Sequence, residues 1–330
     1  MTETNNTLGL NKLRVFCCGG AGIGIGKYYE LERGKKNPGY AELEPVYMDT
    51  SEASTFDVPA EYFYRLPEAN GSGGKRSFNG AEIIKYTGEM LQRFPLAEHN
   101  IVIHSATGGS GSVMGPSIAS EALAQGKSVI VFVIGGDDTL QFVKNSIGTL
   151  ESYEGIVEAR EKPIVLQFLQ NGVDGTIEQV DSKVHMAVAC LTALYSGQNK
   201  NLDFRDLHNW LHFDEVTSYE PQVGVFSIHQ EKLSLSDSNL ISVVAVTIDK
   251  KGTKLDQPVE YQRVGVPVYG DADRDLKFPL HFAVADGFLD TVIKRLRKQE
   301  ADYDQRSKDR VVKNKLSDGS KKKASNGLVF

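Results

Sequence analysis

Leu13-Arg14-Val15-Phe16-Cys17-Cys18, a short apolar run of β type, passes directly into Gly19-Gly20-Ala21-Gly22-Ile23-Gly24-Ile25-Gly26, and a helix-compatible stretch follows from Lys27. The order strand, glycine loop, helix is decisive. Glycines at such a junction leave backbone N–H groups facing outward, and a helix N-terminus adds a dipole that favours an anion. A second junction repeats the arrangement. Ile101 to Ser105 reads as a strand, Ala106-Thr107-Gly108-Gly109-Ser110-Gly111-Ser112 as a loop of glycines and hydroxyls, and Val113 as the start of a helix. Two such loops on one sheet edge suit a single polyphosphate, the Ser and Thr hydroxyls adding donors to the backbone amides. A third cluster, Gly71-Ser72-Gly73-Gly74 followed by Lys75 and Arg76, reads either as a flexible linker or as a positively charged cover for a terminal phosphate.

The two common phosphate-binding templates do not fit the first loop. A Walker loop requires Ser or Thr after its lysine, and Gly26-Lys27 is followed by Tyr28. The dinucleotide pattern G-x-G-x-x-G fails in both registers, with Ile25 or Lys27 in the last position. Taken alone, this loop is also compatible with a glycine turn that serves only close packing.

Further apolar runs at Ser128 to Ile134 and Ile164 to Leu169 alternate with helical patterns over 80–94, 113–125 and 139–160. Such alternation predicts a parallel sheet covered by helices on both faces. From Thr176 to Tyr195, Ile177, Val180, Val184, Ala187, Val188, Leu191 and Leu194 recur at helical spacing among small residues. That pattern predicts a long helix buried on several sides and lying between two domains. After Phe213 the texture changes. Val223 to Ile228 and Leu240 to Ile248 read as strands, Gly265 to Asp275 as a turn-rich region, and Asp286 to Tyr303 as a helix.

The chain has 330 residues, 40% hydrophobic and 24% charged, enough to bury a large core and too apolar for a disordered chain. Its apolar runs fall short of the roughly 20 residues needed to span a bilayer. The polar first residues, Met1 to Asn11, lack a basic start and an apolar run, so a cytoplasmic protein with no membrane partner is expected. Three cysteines, Cys17 and Cys18 adjacent, make neither a disulfide framework nor a spaced zinc site, and the pair is expected in the core. The net charge of −6 hides an asymmetry. Arg306 to Phe330 holds eight Lys or Arg against two acids, leaving −12 on the rest of the chain. This end reads as a mobile tail that either contacts anions or aids solubility.

Thr107-Gly108-Gly109-Ser110-Gly111-Ser112 resembles the G-G-G-T-G-[ST]-G signature of the tubulin/FtsZ superfamily, with Thr107 at the first glycine, Ser110 at the threonine and Val113 at the final glycine. Downstream, Asn201-Leu202-Asp203-Phe204-Arg205-Asp206-Leu207 is similar to the family segment N-x-D-F-x-D-[VL], and it follows the long helix as the family order requires. The resemblance covers residues 12–214. It implies an α/β fold with an N-terminal Rossmann-like parallel-sheet GTPase domain and long central helix over 1–214, a smaller sheet-rich second domain over 215–285, and a C-terminal helix and basic tail over 286–330.

The resemblance further implies GTP or GDP as ligand, with Mg2+ held mainly by the nucleotide and no all-protein metal site. Gly19, Gly20, Gly22 and Gly24 would approach the phosphates, and Thr107, Gly108, Gly109, Ser110, Gly111 and Ser112 would wrap them. Asp49 and Thr50 fall in a nucleotide-contacting loop, and Asn171 and Asp181 match positions that read the guanine base. Asp203 and Asp206 match the acids that one subunit presents to the nucleotide of the next in a head-to-tail homopolymer, so that hydrolysis depends on assembly. Capping of the following helix is the alternative for both. His208 and His212, four residues apart, are expected in packing or at an interface, since no third metal ligand stands at recognisable spacing.

The altered signature and the short second domain look most like the divergent phage and plasmid branch. A phage member would position phage DNA or its replication compartment in a bacterial host, and a plasmid member would pull a DNA-bound adaptor. An acidic end is expected of the phage type, whereas this end is basic. Here the tail is expected on the acidic body of a neighbouring subunit, with a DNA-bound adaptor or phage cargo as the alternative. A non-polymerising α/β nucleotide enzyme and a non-hydrolysing scaffold are the competing classes.

Overall fold

The computed structural model describes residues 11–35, 39–55, 58–230, 239–247, 259–267 and 279–309. The tail expected over 306–330 therefore lies almost wholly outside the described residues, as do the residues before Asn11 and much of the turn-rich region 265–275. In chain order the elements are β1 (Lys12–Cys18), α1 (Gly19–Gly26), β2 (Glu42–Asp49), β3 (Phe63–Arg65), α2 (Arg76–Arg93), β4 (His99–Ser105), α3 (Gly111–Ala124), β5 (Ser128–Gly135), α4 (Leu140–Arg160), β6 (Ile164–Gln170) and α5 (Ile177–Leu194). They continue with β7 (Asn199–Lys200), α6 (Phe204–Leu211), β8 (Val223–His229), β9 (Leu240–Val246), β10 (Tyr261–Pro267), β11 (Leu280–Ala285) and α7 (Phe288–Asp309).

The strands order as β3-β2-β1-β4-β5-β6-β8-β11-β9-β10-β7. From β3 to β8 every pairing is parallel, and β11 then runs antiparallel to both β8 and β9. Because β6 pairs with β8 through Ile164–Val223, Val165–Gly224 and Leu166–Val225, the sheet continues through position 215 without a break. Alternate side chains feed two cores. Leu13, Val15 and Cys17 join α5 and α6 on one face, while Phe16 and Cys18 join α2, α3, α4 and α7 on the other. Both cysteines are fully buried, and desolvation pushes both thiols well up, consistent with packing rather than reactivity.

Three expectations need correction. The glycine run is itself helix α1, and the stretch after it, Lys27–Glu32, is a 3-10 helix. Five glycines in eight residues oppose helix formation by up to about 1 kcal/mol each, so tertiary packing must enforce it. A Cβ on Gly22 would lie 2.3 Å from the Ile103 carbonyl oxygen, and one on Gly26 would lie 2.1 Å from Cys17 Sγ. Helix α5 is amphipathic rather than buried on several sides. Val180, Val184, Ala187, Val188 and Leu191 are covered, whereas Ile177 and Met186 are about three-fifths exposed. The third correction concerns Arg76. Pro116 lies inside α3 and has no N–H to give the Ser112 carbonyl, and the Arg76 guanidinium donates to that carbonyl instead. Its remaining donors reach Thr149 Oγ1 and Ser152 Oγ, both at 2.8 Å, so Arg76 is committed to α3 and α4 and is not a phosphate cover.

Replacement of Gly22 by Ala is expected to destabilise the fold by about 1–3 kcal/mol through backbone overpacking. Gly88→Ala, on an exposed helical position with nothing within 4 Å of the added Cβ, should stabilise by about 0.5–1 kcal/mol. Urea unfolding of both variants checks the pair, and equal effects would remove the packing argument for α1.

His104 generates a second prediction. Its buried ring bonds the Tyr153 hydroxyl at 2.7 Å and the Ser105 carbonyl at 3.2 Å, and Gly115 leaves room for it. Burial lowers its pKa from 6.5 to about 4. The unfolded chain therefore takes up this proton first, and the contribution is complete above pH 6.5 and lost as pH falls towards 4. The loss amounts to about 3 kcal/mol. The pH dependence of unfolding free energy should be steep across that window and shallower in His104→Gln.

Candidate functional site

The C-terminal ends of β1, β2, β4, β5 and β6 share one edge of the parallel sheet. Every residue expected to meet a nucleotide sits on or just beyond that edge. At β1, Gly19 has φ of +70°, and a Cβ there would lie 2.9 Å from the Gly111 backbone nitrogen. A Cβ on Gly111 would in turn lie 2.6 Å from the Cys18 carbonyl oxygen. The two glycine segments thus touch backbone to backbone. At Gly20, Gly24 and Gly108 a Cβ would instead meet nothing within 4 Å, so the space where a side chain would stand is open there.

Beneath this surface the hydroxyls of Thr50, Ser72 and Ser110 form a buried triangle. Thr50 and Ser110 are 2.6 Å apart, Ser72 and Ser110 3.0 Å, and Thr50 and Ser72 3.3 Å. Asn79 Nδ2 donates to Ser72 Oγ at 3.1 Å and to the Gly71 carbonyl at 3.0 Å. Asp49 accepts from the Thr50 N–H at 2.7 Å and the Ser54 hydroxyl at 2.6 Å, so it shapes the loop from below. Asn145 Nδ2 ties two loops together by donating to the Gly74 carbonyl at 2.7 Å and the Thr107 carbonyl at 2.6 Å. The Thr107 hydroxyl pairs with Ser105 Oγ at 2.8 Å, and the Ser112 hydroxyl donates to the Gly109 carbonyl at 3.3 Å. Asn79 and Asn145 escaped the sequence reading, and Ser72 was read only as part of its glycine cluster, because their partners are brought together only by the fold.

At the end of β6, the Asn171 N–H donates to the Gly135 carbonyl at 3.1 Å, while its buried side-chain oxygen has no hydrogen-bond partner among the described residues. An orphaned acceptor of this kind is costly unless a ligand or water supplies a donor. Together with the open space beside the glycines, it fits a nucleotide whose base carries N–H groups. Asp181 stands on the second turn of α5, and burial raises its pKa, with the charge of His185 partly opposing. His185 in turn lies 3.1 Å from the Tyr29 hydroxyl, beyond the end of α1. Asp137, after β5, is held by Gln299 Nε2, and its carbonyl accepts from the Tyr303 hydroxyl at 2.9 Å. That contact places the C-terminal half of α7 beside the same edge.

Asp203 and Asp206 lie elsewhere. Helix α5 starts beyond the C-terminal end of β6 and runs for 18 residues, roughly 27 Å. It delivers the chain to the opposite sheet edge. There the Tyr195 carbonyl accepts from the Asn11 N–H at 2.9 Å, and the ring of His99, at the start of β4, lies 4.4 Å from that of Tyr195 and 5.3 Å from that of Phe204. Asp203 caps α6 through a reciprocal box, its Oδ1 accepting from the Asp206 N–H at 3.0 Å while Asp206 Oδ2 accepts from the Asp203 N–H at 3.1 Å. Arg263 Nε also donates to Asp206 Oδ1 at 2.8 Å, and the Tyr261 hydroxyl lies 3.3 Å away. The capping foreseen as an alternative is thus present in the single chain, and the two acids are not brought to the glycine loops of their own chain.

No protein-family model matches this sequence. The chain is 26% identical over 323 residues to a phage tubulin-like protein of Pseudomonas phage PhiPA3, covering 96% of this chain and 98% of that one. It is 27% identical over 339 residues to a phage tubulin-like protein of Pseudomonas phage phiKZ, covering 97% and 98%. Its fold superposes on the phage tubulin PhuZ, solved with GDP, with a TM-score of 0.85 at 20% identity, covering 97% of this chain and 100% of that one. A protofilament structure of TubZ from bacteriophage PhiKZ gives 0.84 at 24% identity, covering 96% and 99%. Along nearly its whole length this chain is thus similar in sequence to phage tubulin-like proteins, and it shares the fold of the phage tubulins.

Proposed function

We propose that this chain is a GTP-binding cytoskeletal protein that polymerises head to tail and hydrolyses GTP to GDP and phosphate at the junction between subunits. The carrying observation is the separation of the two halves of the site. The glycine loops occupy one sheet edge and Asp203 with Asp206 the other, so stacking copies end to end is the simple way to bring them together.

On one side of the junction, the unpaired first-turn N–H groups of α1, Gly20 among them, and the backbone of Gly108 would cradle phosphates; Gly24 would leave room for the ligand, and Gly19, Gly22, Gly109 and Gly111 would fix the two segments. Thr107, Ser110 and Ser112 supply hydroxyls, and Asp49 and Thr50 shape the neighbouring loop. Asn171 and Asp181 would pair with the N–H groups of guanine and so favour it over adenine. Bound GTP, with Mg2+ held mainly by its phosphates, supplies the reactive phosphoanhydride and neutralisation of its charge. On the other side, Asp203 and Asp206 of the next subunit would orient the attacking water. Arg263 holds Asp206 to β10, which fixes the carboxylate before any junction forms.

We further propose that the filament positions phage DNA or its replication compartment in the cytoplasm of a bacterial host, a reading that rests on the likeness to phage tubulin-like proteins. No helix of the described residues is long and apolar enough to cross a membrane. The basic tail is proposed to contact the acidic body of a neighbouring subunit, with a DNA-bound adaptor or phage cargo as its second possible target. The division into units 1–214, 215–285 and 286–330 follows the same reading, although one sheet joins the first two.

GTP hydrolysis per subunit, followed across protein concentration with light scattering, tests the composite site. Turnover and scattering should rise together above a threshold. Asp206→Ala should still assemble, into longer-lived polymers, with turnover reduced by about 100-fold or more. Loss of the capping box costs only about 1 kcal/mol, so circular dichroism should show an intact fold. Concentration-independent turnover without scattering would identify a self-contained enzyme instead.

A further inference from the structure

His208 and His212 occupy one face of α6 and its C-cap, and their rings stack with centroids 4.1 Å apart and planes 21° from parallel. The short 3-10 turn Phe213–Glu215 then folds back and presents Glu215 to the pair. One donor atom from each of His208, His212 and Glu215 lies within 4.8 Å of the other two, and no other group of three His, Cys, Asp or Glu side chains among the described residues does so. The third ligand is invisible to a search for sequence spacing because the helix ends between it and the histidines.

We propose that His208, His212 and Glu215 form a site for a divalent transition-metal ion of the zinc class, with water completing its coordination. His212 is only 3% exposed, yet neither of its ring nitrogens has a hydrogen-bond partner among the described residues. The buried ring of His99 shares this lack of partners, but only His212 also has a second histidine and a carboxylate converging on it, so an ion accounts for one of its nitrogens. Desolvation also lowers the pKa of both histidines, which keeps the rings neutral and able to donate a lone pair.

Glu215 is partly exposed, which gives an ion a way in. Its Oε1 accepts from Lys162 Nζ at 3.0 Å, while Oε2 faces His208 Nε2 at 3.8 Å. The lysine therefore orients one carboxylate oxygen and leaves the other turned towards the histidines. Lys162 also lies 3.6 Å from Asp214 Oδ2, so its charge is shared between two carboxylates. Two imidazoles and one carboxylate are a zinc-type donor set, whereas Mg2+ prefers oxygen ligands alone. Bonds of about 2.0–2.2 Å require the donors to draw together and the His208 ring to turn out of its stack on His212, because the in-plane lone pairs of near-parallel rings do not converge on one ion; both movements fall to the less buried His208 and Glu215. An ion there would tie the C-terminus of α6 to the following turn, on the helix whose N-terminus carries Asp203 and Asp206. The site stands on its own geometry and does not depend on GTP hydrolysis.

The test is titration of the full-length, nucleotide-free chain with Co2+, read by visible absorption. The expected result is one ion per chain with a tetrahedral spectrum, displaced by Zn2+, unaffected by excess Mg2+, and lacking the near-ultraviolet band of a cobalt–thiolate bond. His208→Gln and Glu215→Gln, both made at partly exposed positions, should each weaken Zn2+ binding by at least the roughly 10–100-fold that loss of even an outer partner causes. Zn2+ should also raise the unfolding temperature of the parent chain and not that of either variant. An octahedral spectrum, a thiolate band pointing to Cys190, or unchanged affinity in Glu215→Gln would overturn the proposal. Should His208→Gln fail to fold, Glu215→Gln alone decides.

Discussion

The close approach of α1 to the sheet is the constraint on which the rest of the site depends. A helix with ordinary side chains stands 8–10 Å from its neighbours, whereas α1 meets the Ile103 carbonyl, Cys17 and Gly111 with no side chain between. That contact seats the first glycine segment directly against the second. A side chain on Gly19, Gly22 or Gly111 would push the two loops apart and separate the surfaces that face a common ligand. The glycines therefore divide into two kinds, those whose missing Cβ permits packing and those, Gly20, Gly24 and Gly108, beside which the space for a side chain lies open. The sequence allowed for glycines that serve close packing, but with the run taken as a loop the helix that this packing enforces on residues that disfavour helices was not foreseen.

The second organising element is α5. It buries Val180, Val184, Val188 and Leu191 against the sheet and so runs at a fixed height from one edge to the other. The capping box of Thr176 and Gln179 starts it, and the Tyr195 carbonyl bonds to Asn11 at its far end. A rod anchored at both ends sets the distance between glycine loops and acids, and keeps a chain from closing its own site. Its outer face bears Ile177 and Met186, which explains why counting apolar residues overestimated its burial.

Legibility in the sequence followed the range of the interactions involved. Strands β1, β4, β5 and β6 are largely buried on both faces, read as mainly apolar runs, and were placed to within two residues at either end. Strands β3 and β7 are too short to announce themselves, and β10 and β11 owe their existence to partners across the sheet. In the site, the motif residues from Thr107 to Ser112 and from Asp203 to Asp206 could be read because each group is local. Ser72, Asn145 and Arg263 could not, since their partners Ser110, Gly74 and Asp206 stand 38, 71 and 57 positions away. Arg76 was misread for a related reason. Its charge suggested an anion, while its true partner is a carbonyl freed by Pro116, far along the chain.

The acids at the far end show how one pair of residues can answer to two demands. In the single chain both oxygens of Asp206 are engaged, Oδ2 by the Asp203 amide and Oδ1 by Arg263 and Tyr261. The Arg263 contact is half-exposed, and pairs of that kind contribute up to about 1 kcal/mol, so an approaching subunit can displace it at small cost. The Asp203 side is different, because releasing Asp203 Oδ1 from the Asp206 amide would uncap α6. An arrangement that keeps Asp203 as the cap and frees Asp206 Oδ1 from Arg263 preserves the helix while exposing one carboxylate oxygen to the junction. Under the proposed mechanism, capping and catalysis would be successive uses of the same turn: the cap holds both carboxylates at the helix start, and assembly would supply the neighbour on which one of them acts.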